Sequence, residues 1–189
     1  MLGTDIVQLR QLRQDRWSRR IDKICSKEEQ KWLGHMPQPF LAFAQLWALK
    51  EAAYKLGLRL GAPLGYYPKK ITVEELELGY FFCSAWSIYL QLEMAEDYIW
   101  AQAAPSRSDL ARIQANIYYW PQWAEQPRQR SSALRQLIGQ NLGLGQLIKD
   151  EKGLPFWKEE AGPKIPLSLS YDGPWASWAK VSPSVAHNF

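Results

Sequence analysis

Residues 40–56, FLAFAQLWALKEAAYKL, read as one helix that is apolar on almost every side, and its only charges are Lys50, Glu51 and Lys55. A helix apolar all round is normally buried. A buried charge costs several kcal/mol unless it is paired, bound to a metal or put to chemical use. Three charges gathered in the last two turns therefore point to a site. Glu51 and Lys55 are four apart and share a helix face. Lys50 lies about 100° round from Glu51, towards a different groove. Asp5 follows Gly3 by two residues on a short β-prone run containing Ile6 and Val7. One carboxylate on a strand and one on a helix suit Mg²⁺, which takes one or two carboxylates, keeps several waters and binds phosphate oxygens. A lysine one turn from the helix carboxylate reaches the same phosphates as a point charge.

Around these residues the chain alternates between helical and β-like runs. Residues 9–24 read as a helix with Arg10, Arg13, Arg16 and Arg20 along one stripe, which is either a solvated basic face or a docking rail for an acidic partner. Ser26 and Glu29 make a capping box for a short helix over 27–33, closed by Gly34. Pro37 and Pro39 lead into the apolar helix, and Gly57 stands where a C′ residue would end it. Strands are expected over 70–74, 80–86, 88–94 and 98–103, then a helix from Ser106 or Ser108 through Asn116. An irregular stretch follows over 118–130, and a helix over 131–142. Hairpins close the chain, pairing 146–149 with 154–157 and 165–170 with 175–181, before a loose tail from 182. No internal repeat or linker interrupts this order, so one compact α+β domain is expected.

The chain has 189 residues, 47% of them hydrophobic, which is enough for a sizeable core. Its net charge of +4 favours anionic partners without choosing among them. The two cysteines, Cys25 and Cys83, have no metal-ligand spacing and suit a reducing cytosol, so a cytoplasmic location is expected. No run approaches the ~20 apolar residues that span a bilayer. Tyr118, Tyr119, Trp120 and Trp123 beside Arg128 and Arg130 would suit stacking on single strands. No nucleic-acid-binding signature accompanies them, and core packing is the preferred reading.

The spacing of the charged residues carries more information than their chemistry. Gly3-Thr4-Asp5-Ile6-Val7 and Trp47-Ala48-Leu49-Lys50-Glu51-Ala52-Ala53-Tyr54-Lys55 resemble the two signatures of the 4′-phosphopantetheinyl transferase superfamily, a G-x-D-[IV] strand and a [FW]-x-x-K-E-x-x-x-K helix. Gly153-Leu154-Pro155 and Leu167-Ser168-Leu169-Ser170-Tyr171 look like the family's G-x-P turn and S-[IL]-S-H strand end. The motif order is that of the small holo-acyl-carrier-protein synthase type, and residues 79–130, which match nothing in the family, are expected to be an insertion in a single domain.

The resemblance implies a fold in which an antiparallel sheet packs against a long buried helix. It implies transfer of the phosphopantetheine arm of coenzyme A to a serine of an acyl or peptidyl carrier protein, with release of 3′,5′-ADP. By residue match, Asp5 and Glu51 would ligate Mg²⁺, and Glu51 would help deprotonate the carrier serine. Lys55 would contact the pyrophosphate, with Lys50 also assigned to the cofactor. Gly153 and Pro155 would border the adenine, and Ser168, Ser170 and Tyr171 would lie near the nucleotide. An acidic carrier would suit the arginine stripe. The small type builds its sites between subunits of a trimer, so an oligomer is open. Two departures stand out: Tyr171 replaces a histidine that contacts the 3′-phosphate, and Leu46 occupies a frequent arginine position. They motivate a second reading, a non-catalytic relative that binds carrier protein or nucleotide.

Overall fold

The computed structural model describes residues 1–10, 17–77, 79–122, 127–160 and 162–182. The chain begins with strand β1 (Gly3–Gln8) and continues through helices α1 (Trp17–Ile24), α2 (Lys27–Gly34) and α3 (Pro39–Arg59). Strands β2 (Glu74–Glu77), β3 (Tyr80–Cys83), β4 (Ile88–Met94) and β5 (Tyr98–Ala104) follow. These strands and β1 form one five-stranded sheet in the order β1-β5-β4-β3-β2, every neighbouring pair antiparallel. The segment expected as an insertion thus supplies three strands of this sheet.

Alternation along β1 decides what lies on each side of it. Val7 joins Ala48, Leu49, Ala52 and Leu56 of α3 in the main core, under Ile99 and Ala101 of β5. Leu2 and Ile6 point the other way, against Trp100 and Ala179. β1 is therefore covered on both faces, and even its Thr4 is fully buried.

Behind that second face lies the remainder of the chain. After the single turn α4 (Arg107–Leu110) come β6 (Ile113–Tyr119) and α5 (Pro127–Leu142). Strands β7 (Gly145–Lys149), β8 (Pro155–Glu159), β9 (Lys164–Pro166), β10 (Ser168–Asp172) and β11 (Trp175–Val181) complete it. They make two three-stranded antiparallel sheets, β10-β11-β6 and β7-β8-β9. Leu134 and Ile138 of α5 pack on Trp157, Leu167, Ala176 and Trp178 to form a second core.

Several boundaries differ from the sequence expectations. α3 runs on to Arg59, and Gly57 is an interior residue chosen for contact: a Cβ there would meet the Trp86 ring at 3.0 Å. Ser106 does cap a helix, but only for one turn, and 113–119 is a strand between β11 and solvent rather than helix. The run 165–170 divides into β9, which pairs with β8, and β10, which pairs with β11. Lys70 ends a 3-10 turn, and the strand expected at 70–74 begins only at Glu74. Leu9 and Arg10, expected to open a helix, form a turn, with Leu9 N–H donating to the Asp97 carbonyl; residues 11–16 of that expected helix and the tail from 183 lie outside the described residues.

Candidate active site at the junction of β1, α3 and β10

Gly3 sets the geometry. A Cβ on it would lie 2.1 Å from the Ala52 carbonyl oxygen and 2.7 Å from the Leu56 nitrogen, so only glycine lets β1 rest on the α3 backbone. Two residues on, Asp5 projects from the same strand face and meets α3 where Glu51 and Lys55 stand one turn apart. The Lys55 ammonium donates to Asp5 Oδ1 at 2.8 Å, to the Thr4 carbonyl at 2.8 Å and to the Leu169 carbonyl at 3.3 Å. That last bond comes from β10, so both halves of the chain hold this lysine.

Electrostatics tie the carboxylates together. Burial pushes the Asp5 carboxyl above its ordinary value, against the pull of Lys55. Burial also raises Glu51, and the neighbouring Asp5 charge adds to it. A third carboxylate, Asp172 at the end of β10, is raised by burial and again by Asp5, while accepting the Gln8 N–H at 2.6 Å. Two hydrogen-bonding side chains flank Glu51. Trp47 Nε1 lies 3.4 Å from its Oε1, and the Tyr66 hydroxyl, buried with no partner at full hydrogen-bond geometry, is pushed up by burial and by the Glu51 charge. Arg20 of α1 stacks over the Trp47 ring at 5.3 Å.

β10 is polar because it covers an edge. β1 is the last strand of its sheet, and its outward N–H groups need acceptors. Ser168 Oγ takes Thr4 N–H at 2.8 Å, and the Asp172 carboxylate takes that of Gln8. Ser168 and Ser170 are buried, and Ser170 shares a hydrogen bond with Ser177 at 2.7 Å. The two serine hydroxyls expected near the nucleotide are thus engaged with protein. Tyr171 faces the opposite way, towards the second core and α5, under the Arg130 guanidinium.

Lys50 stands apart from the other two charges. Fully buried, it spends its three donors on Ile24 O at 3.1 Å, Glu29 Oε2 at 2.6 Å and Pro68 O at 2.8 Å. The same Glu29 closes the α2 capping box. The lysine expected on the cofactor therefore ties α2 and the 68–70 turn to α3 instead.

The comparisons with known proteins fall on this arrangement. A sequence model of the 4′-phosphopantetheinyl transferase superfamily matches residues 1–103, just over half of the chain, and includes Gly3, Asp5, Glu51 and Lys55. The chain belongs to the 4′-phosphopantetheinyl transferase superfamily. It is a transferase of the phosphopantetheinyl type, with the α+β fold of that family. Among solved structures, one described as the apo-ACPS structure of Chronobacterium ammoiniagenes is similar, at 18% identity and a TM-score of 0.42, covering 55% of this chain and 93% of that one. No curated protein matches.

The Gly153-Leu154-Pro155 turn is attached to α3 through Arg59. Arg59 continues the Glu51, Lys55 stripe by one more turn. Its guanidinium donates to the Pro155 carbonyl at 3.0 Å and to that of Leu167, and stacks on Phe156 at 5.1 Å. Gly153 takes a φ of 79° in the tight turn that Asp150 Oδ1 caps by accepting the N–H groups of Lys152 and Leu154. A cavity of about 570 Å³ opens beside this turn, bordered by Arg59, Lys149, Lys152, Leu154 and Phe156. Arg59 sits just past the end of the lysine motif, and Asp172 and Tyr66 lie in a hairpin and a loop, where periodicity gives no signal. Of the arginine stripe, Arg10 pairs with Asp97 at 2.6 Å and Arg20 covers Trp47, while Arg13 and Arg16 lie outside the described residues.

Proposed function

We propose that this protein moves the 4′-phosphopantetheine arm of coenzyme A onto a serine hydroxyl of an acidic acyl or peptidyl carrier protein and releases 3′,5′-ADP. The observation that carries this reading is the convergence of Asp5, Glu51 and Lys55 at one point between strand and helix. The donor set fits Mg²⁺. Asp5 and Glu51 offer hard carboxylate oxygens, both held above their usual range by burial, and a divalent cation relieves the repulsion that a proton otherwise relieves. Mg²⁺ bound there would neutralise charge on the pyrophosphate oxygens of coenzyme A.

The protein's own residues do the positioning that phosphoryl transfer needs. Lys55, braced by the Thr4 and Leu169 carbonyls, offers its charge to the pyrophosphate. Glu51 takes the proton from the carrier serine, directly or through a water, and its raised carboxyl makes it a better base than an ordinary glutamate. The serine oxygen bonds to the phosphorus next to the pantetheine, the bond to the bridging oxygen breaks, and the electron pair leaves with 3′,5′-ADP. The Gly153–Pro155 turn, fixed to α3 by Arg59, borders the adenine side of the cleft. Arg10 and Arg20, with Arg13 and Arg16, steer the acidic carrier, an effect that weakens with salt.

The test incubates the protein with coenzyme A, Mg²⁺ and a panel of apo carrier proteins from fatty-acid, polyketide and peptide systems, and weighs each carrier. At least one carrier gains a phosphopantetheinyl group. No gain with any of them rejects the proposal.

A further inference from the structure

β6 ends in aromatic rings that face solvent. Core packing, expected for this aromatic run, holds for Tyr118, whose hydroxyl accepts from Trp178 Nε1 at 3.2 Å and from Asn141 Nδ2 at 3.0 Å. The next two residues turn outward: Tyr119 is 56% exposed and Trp120 48%. The Tyr119 ring lies 4.8 Å from that of Trp175, which in turn lies 4.5 Å from that of Tyr98. Trp120 is fixed beside them, because its N–H donates to the Pro174 carbonyl at 2.9 Å. Rings ordered in advance lower the entropy cost of association.

These rings adjoin the cleft. Tyr98 is the cross-strand partner of Gln8, which follows Asp5 along β1 by about 10 Å of strand. The Gln8 N–H donates to Asp172, and the turn after Asp172 carries Pro174 and leads into Trp175. Leu9 N–H donates to the Asp97 carbonyl, and the Asp97 carboxylate holds Arg10, whose side chain is 69% exposed. The rings thus continue the surface on which Arg10 stands. A folded carrier whose serine reaches Glu51 must lie on whatever rims the cleft. A partner footprint of ordinary size, about 800 Å², extends about 16 Å from its centre, far enough to take in the end of β1 and the rings beside it. We propose that Tyr119 and Trp120, packed around Trp175, form a docking platform for the carrier protein and take the apolar side chains that surround its serine, with Arg10 at the platform's rim. Tyr and Trp are the residues that most often dominate the energy of such contacts. Nucleic-acid bases could stack on the same rings, but continuity with the cleft selects the carrier. The inference rests on a carrier serine being the acceptor, and it gives the C-terminal half of the chain a share in partner choice.

The test uses the full chain, Mg²⁺, coenzyme A and an apo carrier that the wild type loads. Transfer is measured against carrier concentration at saturating coenzyme A, then against coenzyme A at saturating carrier. The double variant Y119T/W120Q is expected to raise the KM for carrier about tenfold or more, the loss of two interface anchors. Its kcat and its KM for coenzyme A should stay within about twofold of the wild type's, which reports an intact cleft. An unchanged KM for carrier overturns the inference. Hydrogen exchange of the wild type needs no variant: amides over residues 117–120 should slow when the apo carrier is added. Slowing by a single-stranded oligonucleotide, or by raising the concentration of this chain alone, without any slowing by the carrier, overturns the inference as well. A wild type that loads no carrier fails the transfer reading and this inference with it, whereas loading with an unchanged KM in the variant overturns the platform alone.

Discussion

A methyl group on Gly3 would collide with the α3 backbone at Ala52 and Leu56, and backbone cannot swing aside as a flexible side chain can. Gly3→Ala must lift β1 from the helix, at a cost at the upper end of about 1–3 kcal/mol, read as a lower urea midpoint. Because Asp5 rides on the same strand, transfer should fall about hundredfold in the protein that still folds, the penalty of an ångström-scale misplacement. The carboxylates carry their own prediction. Asp5, Glu51 and Asp172 all have raised pKa values, chiefly from burial, so the folded chain holds protons that the unfolded chain has released. Their contribution to stability is complete below the unfolded carboxylate range and is lost as pH rises through the folded values. Metal-free protein in EDTA should therefore show a urea midpoint that declines from mildly acidic to neutral pH, with the decline reduced in Glu51→Gln. A midpoint that climbs over that interval in wild type and variant alike would contradict the electrostatic account. The sequence exposed this site well, because Gly3, Asp5, Glu51 and Lys55 sit at fixed spacings within two elements. It hid Asp172 and Tyr66, which reach the site only through tertiary packing.

At the scale of elements, α3 organises the first half through Lys50. That fully buried ammonium joins Glu29, Ile24 and Pro68, and removing it takes a partner from one carboxylate and two carbonyls. Lys50→Met should cost about 3–5 kcal/mol, the usual range for breaking a buried pair, measured by urea unfolding. A loss below 1 kcal/mol would mean that water replaces the lysine. The apolar pattern of α3 predicted its burial, and Ser26 with Glu29 predicted the α2 cap. The end of α3 was misplaced because Gly57 serves the Trp86 contact and not a cap. β6 was misread because Ser106 starts a helix that lasts one turn, after which Gln114 and Asn116 alternate with apolar residues as a strand requires. The alternating polar residues of β10 look like a surface strand in sequence, yet Ser168 and Asp172 accept from the edge of β1 and Ser170 is buried against Ser177.

At the scale of the molecule, β10 and the turns around it complete within one chain what β1 and α3 begin. Lys55 binds Leu169, Arg59 binds Pro155 and Leu167, and Thr4 and Gln8 bind Ser168 and Asp172. The β1 edge is thus covered by β10 of the same chain. Sedimentation equilibrium should report a species near the 21.9 kDa of a single chain, and the transfer rate per chain should not change on dilution. A stable trimer whose activity falls as it dissociates would show that a neighbour contributes. The proposed transfer requires that Asp5 and Glu51 jointly hold one divalent ion under the pyrophosphate of coenzyme A. Its most direct test is titration with Mn²⁺, a spectroscopic substitute for Mg²⁺, in the presence of coenzyme A, for wild type, Asp5→Asn and Glu51→Gln. The account predicts one ion per wild-type chain and at least a tenfold loss of affinity in each variant, on the scale of a lost charged contact. Undiminished Mn²⁺ binding in either variant would contradict it.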